Sequence, residues 1–132
     1  MLGQQFLRFS LIGALGFIVD VSVLYLCRHF DLGLYLARLV SFAAAASFTW
    51  LGNRLYTFRS SARRSVRLRA EWIRYLVAMC GGALLNYGTY AALVSLYEMA
   101  RNHPWLGVVA GTAAGMVLNF FLARRILYRR AA

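Results

Sequence analysis

Asp20 places the strongest constraint on the chemistry, because it sits at the middle of an apolar run from Phe9 to Phe30. A charged carboxylate at mid-membrane depth costs about 2.5 to 3.5 kcal/mol on insertion scales, so it must face protein or water. Gly13 and Gly16 precede it by seven and four positions and share its helix face, where a neighbouring helix can come close. Asp20 is therefore either a polar contact that holds helices together or a lining residue of a polar path or head-group site. Asn86 sits at similar depth in the third apolar run, with Gly82 four residues before it and Tyr90 four after. Asn53 and Asn119 would extend the same intramembrane polar path.

A second group is basic. Arg8 and Arg74 stand where the odd-numbered runs begin, and Arg54 and Arg124 where the even-numbered runs end. Guanidinium groups grip phosphate with two parallel hydrogen bonds, so these four form a candidate ring for a lipid phosphate or pyrophosphate. The plainer alternative is that they only orient and anchor the chain. Arg38 is different, since it lies inside the second run where no topological rule asks for it; it either pairs with Asp20 or meets a phosphate. Nothing points to bond making. His29 and His103 lie in loops far from any carboxylate cluster, Cys27 and Cys80 match no metal or redox spacing, and no nucleophile elbow or glycine-rich phosphate loop occurs. No catalytic residue, metal ligand or cofactor is assigned, and both cysteines are expected to be reduced and buried.

The elements that must position these residues follow from composition. The 132 residues are 61% apolar with a single proline, which argues against disorder and for one folding unit. All 15 basic residues are arginine, against four acids. A nucleic-acid partner does not fit, because such a binder does not usually carry four apolar stretches of nearly twenty residues. An all-α membrane protein accounts for both excesses. Its four predicted spans are Phe9–Phe30, Leu34–Trp50, Ile73–Tyr97 and Trp105–Leu122, and the first is too long for a signal-peptide core. Turns at His29–Gly33 and Glu98–Pro104 fold them into two helical hairpins, residues 5–59 and 71–129, within a single domain spanning 1–132. A basic stretch, 53–71, lies between the hairpins and is expected to lie along the membrane surface, attracted by anionic membrane lipids.

Twelve arginines, among them Arg63, Arg64, Arg129 and Arg130, fall on one side of the spans, and only Arg28, Arg38 and Arg101 fall on the other. Positive residues stay inside, so both termini are predicted to be cytoplasmic. A faint internal repeat supports two hairpins of the same orientation: Gln5-Phe6-Leu7-Arg8-Phe9 recurs as Glu71-Trp72-Ile73-Arg74-Tyr75, and the 66-residue offset sets Gly16 on Gly82 and Asp20 on Asn86. The offset becomes 70 in the second helices, setting Arg54 on Arg124. Gly107, Gly111, Gly115 and Asn119 form one stripe at four-residue spacing, a close-packing surface through which a homodimer or larger homo-oligomer is predicted.

Several of these residues together resemble the GtrA-like family of small bacterial membrane proteins. They are Arg8-Phe9 leading to Gly13, Gly16 and Asp20; Ala37-Arg38, Ser41-Phe42 and Ser47-Phe48 leading to Asn53-Arg54 and Thr57-Phe58; and Asn119-Phe120 with Arg124 and Tyr128. The resemblance implies a four-helix protein of the bacterial cytoplasmic membrane, acting in cell-surface polysaccharide synthesis beside a glycosyltransferase that charges polyprenyl phosphate (undecaprenyl type) with a sugar. The activity it implies is translocation of that lipid or its sugar-linked form. Ala123 stands where the first hairpin has Asn53, so the two halves do not offer identical groups. An ionised Asp20 would repel a phosphodiester, which leaves it to bind sugar hydroxyls, be neutralised by Arg38, or exchange protons. Two other functions remain open: a membrane scaffold that recruits a glycosyltransferase without transport, and a dimeric exporter of small cations, which the basic ring disfavours.

Overall fold

The computed structural model describes residues 1–59, 67–103 and 105–127. The chain enters as α1 (Leu2–His29), turns, and returns as α2 (Leu34–Gly52), which runs on into a π-helical turn (Asn53–Thr57). It then crosses as α3 (Leu68–Leu96), makes one short helix, α4 (Glu98–Asn102), and returns as α5 (Trp105–Leu127). No strand occurs among the described residues. At 1.5 Å per residue α1 and α3 are about 42 Å long, more than a hydrocarbon core of about 30 Å requires. With α5 they are the helices long and apolar enough to cross a membrane, and α2 accompanies α1 as a fourth. Leu11, Leu15, Phe17, Leu39, Leu84, Val109 and Phe121 all point outward. So much large apolar surface is satisfied by lipid rather than water, and the protein is a multi-pass membrane protein.

The helices pair as α1 with α2 and α3 with α5, the two hairpins touching mainly through α2 and α3. At the first turn Asp31 takes φ 58°, a left-handed conformation that Asp tolerates better than most residues. Arg28 closes that turn by donating to the Leu32 carbonyl at 2.9 Å. The apolar core is concentrated at the arginine-rich end, where Phe9, Phe58, Tyr75, Met79, Phe120, Ala123 and Leu127 are buried together and Phe6 and Phe9 meet the Phe120 ring edge-on.

Helix extends into both ends of the stretch 53–71 that the sequence suggests is a surface loop. Asn53–Thr57 continues α2, and α3 begins at Leu68, five residues before the predicted Ile73. Arg63, Arg64, Tyr128, Arg129 and Arg130 lie outside the described residues. The cysteines are free, as expected, but not buried: Cys27 is half-buried and Cys80 is exposed on the outside of the bundle.

Candidate functional site

A cavity of about 530 Å³ lies between the two hairpins and takes lining residues from α1, α2, α3 and α5. Asp20, Arg38, Asn53, Asn86 and Asn119 all line it, as do Gly13, Gly16, Gly82 and Gly115. Its other polar groups are Ser10, Thr49, Tyr75 and Thr112, and the rest of the wall is apolar.

Arg38 and Asp20 are paired. One guanidinium nitrogen, Nη1, donates to both carboxylate oxygens at 2.6 and 2.7 Å, and it also reaches Ser41 Oγ at 3.2 Å. The Asp20 side chain is 15% exposed and that of Arg38 is 55% exposed, so the carboxylate is covered while the guanidinium remains open. Across the cavity the second hairpin offers neutral amides. Asn86 lies against Gly111 and Gly115, and Asn119 against Gly82, with no room at these glycines for a β-carbon. Asn119 Oδ1 is buried and accepts no hydrogen bond among the described residues, which leaves a strong acceptor unmet in the cavity wall.

Toward the arginine-rich end a second polar cluster ties the hairpins together. The π-helical turn brings Asn53 and Thr57 inward, both buried. Thr57 donates to Asn53 Oδ1 at 2.8 Å, and Asn53 Nδ2 donates to the Tyr75 hydroxyl at 3.0 Å. Beside them Arg54 forms an ion pair with Glu71, which also accepts from Trp50 Nε1 at 3.1 Å. Trp72 Nε1 donates to Ser47 at 2.9 Å from the same end of α3. Glu71, Trp50 and Tyr75 are site residues that the sequence reading passed over. The available signal was that Glu71 is the sole acid among the arginines of that end and occupies the position of Gln5 in the repeat.

The four arginines of the predicted ring have different surroundings. Arg54 is enclosed with Glu71, its side chain 13% exposed, while Arg74 is exposed on α3. Arg8 is exposed and donates to the Tyr56 carbonyl at 3.4 Å, and Arg124 is half-buried on α5. The glycines also divide. Gly107, Gly111 and Gly115 are buried against Tyr90, Asn86 and Gly82 of α3, so the stripe is occupied inside the chain and cannot be the face that meets a second copy. Gly16 packs on Thr49 of α2. Gly13 meets nothing within 4 Å of where a β-carbon would stand; it borders the cavity and is not a packing contact.

A known family pattern, "GtrA/DPMS, transmembrane domain", matches residues 8–128. The chain belongs to that family. No curated protein matches it in sequence.

Proposed function

We propose that this GtrA/DPMS-family chain carries a polyprenyl phosphate, or a polyprenyl-phosphate-linked sugar, across the bacterial cytoplasmic membrane for cell-surface polysaccharide synthesis. In this reading the four long helices cross as two hairpins of the same orientation, with the arginine-rich end and both termini in the cytoplasm. The contacts Gly16 to Thr49 and Gly82 to Asn119 support the repeat, since they stand at the same 66- and 70-residue offsets as the matching sequence. The cavity between the hairpins is the observation that carries the functional reading: in a largely apolar wall it gathers polar side chains from four helices, and it holds an arginine that its carboxylate partner leaves open.

The chemistry required is binding and release, with no bond broken. A phosphate in hydrocarbon needs a fixed counter-charge, and Arg38 has donors beyond the one that holds Asp20. Sugar hydroxyls need acceptors, which Asn119 Oδ1 and the Asp20 carboxylate supply. Asp20 thereby serves as an alternate partner that keeps Arg38 neutralised when no head group is present, while the isoprenoid tail stays in lipid. A glycosyltransferase acting on the same lipid is the expected partner.

The test is movement of polyprenyl-phosphate sugar in vesicles containing the purified protein. Asp20→Asn should fold normally and move the lipid at least about tenfold more slowly, equivalent to roughly 1.4 kcal/mol. Wild-type rates in well-folded Asp20→Asn would overturn the role given to the cavity. A protein that retains a glycosyltransferase but never moves lipid would be a scaffold.

A further inference from the structure

We infer that the arginine-rich end carries a separate loading site for the phosphate of a lipid head group, built from Arg8 and Arg59 with Gln4 and Gln5. The inference rests on the transport reading and adds where the head group is first held.

The site is a cavity of about 610 Å³ between the start of α1 and the end of the π-helical turn, lined also by Met1, Tyr56 and Thr57. Tyr56 and Arg59 continue into a neighbouring hollow of about 340 Å³ beside Arg54. Charge decides what such a hollow can take. All four acids of the chain lie elsewhere: Asp20 is paired with Arg38, Glu71 with Arg54, and Asp31 and Glu98 sit in the turns at the opposite end. Among the described residues no carboxylate lines this cavity, so no acid there balances its two guanidinium groups. Two primary amides and a hydroxyl add neutral donors, a set that suits the oxygens of a phosphate monoester or diester.

Depth decides the source. The helix α1 is longer than the hydrocarbon core by about 12 Å, and its polar first turns, with Gln4, Gln5 and Arg8, precede the apolar run that starts at Phe9, so in the transport reading they stand at the level of lipid head groups. A lipid phosphate arrives there with its tail already in the membrane. Arg54, paired with Glu71, lines the neighbouring hollow and is adjacent in the chain to Asn53 of the central cavity.

Native mass spectrometry of the full chain in phosphatidylcholine nanodiscs tests the assignment, with polyprenyl phosphate and the uncharged polyprenol of equal chain length as probes. Wild-type protein should retain the phosphate and not the alcohol, and Arg8→Gln with Arg59→Gln should weaken retention at least about tenfold, a loss of roughly 1.4 kcal/mol. Arg125→Gln, an exposed arginine of α5 away from the cavity, should retain it fully. Arg59→Gln alone keeps the test usable if the double variant unfolds, since Arg59 makes no hydrogen bond among the described residues. Unchanged retention in either variant overturns the loading site. So does displacement by inorganic phosphate, which marks a soluble-anion site, or by equimolar phosphatidylglycerol, which marks general anchoring. Retention that depends on Arg8 and Arg59 in a protein that moves no lipid would keep the site and remove the transport reading; transport with unchanged retention would do the reverse.

Discussion

Among the described residues there are two carboxylate–arginine pairs, and they differ in almost everything but their chemistry. Glu71 and Arg54 sit where the hairpins meet, 6% and 13% exposed, with Trp50 donating to the same carboxylate oxygen as Arg54. Asp20 and Arg38 sit within one hairpin, between α1 and α2, and the Arg38 side chain, which borders the cavity, is 55% exposed. An enclosed pair has no alternative partners, so removing one member strands a charge. An open pair can exchange its partner at modest cost. The first therefore behaves as a fastener between the hairpins, and the second as a charge that can be lent to a ligand.

The largest effect should come from breaking the fastener. Glu71→Gln leaves Arg54 buried and unpaired, with an expected loss of about 3 to 5 kcal/mol of stability. Denaturant unfolding in detergent reads it, and replacing both residues by Met should recover most of the loss. A Glu71→Gln protein as stable as wild type would erase the contrast. A smaller loss should follow Trp50→Phe, which keeps an aromatic ring, though a smaller one, and removes the indole N–H that bonds the charged acceptor, a hydrogen bond worth about 1.5 kcal/mol. The smallest change in stability should belong to Asp20→Asn, about 1 kcal/mol, because the amide oxygen still accepts from Arg38, which also reaches Ser41. That variant shows its defect in lipid movement, and the opposite ranking in unfolding would make the outer pair the structural one.

The hairpins themselves repeat the lesson. Between α3 and α5 the glycines at 82, 107, 111 and 115 let backbones and amides meet without gaps, giving a closely packed wall. Between α1 and α2 only Gly16 and Gly52 make such contacts, and Gly13 opens onto the cavity. The same residue type thus packs a helix in one half and leaves space in the other. Spacing along the chain could not separate these uses, because whether a glycine faces a neighbour depends on how each helix is rotated in the bundle.

Asp20 stood out in the sequence because a mid-span acid is costly wherever it points, and Arg38 because it breaks an apolar run. Glu71 did not, because an acid at the edge of a basic stretch reads as solvated surface. Only when α3 starts at Leu68 and the π-helical turn extends α2 does Glu71 come within reach of Arg54 and Trp50.

By itself the sequence determined the class of the protein: long apolar runs, tight turns between them and a one-sided excess of arginine. Hydrophobic length and charge asymmetry are properties of consecutive residues and are read locally. The tertiary structure decided which arginine meets which carboxylate, that the glycine stripe of α5 is occupied by α3, and that the polar residues of four helices share one cavity. Those outcomes depend on helix rotation and on the extra residue of a single π-helical turn, and both are settled only when the hairpins pack against each other.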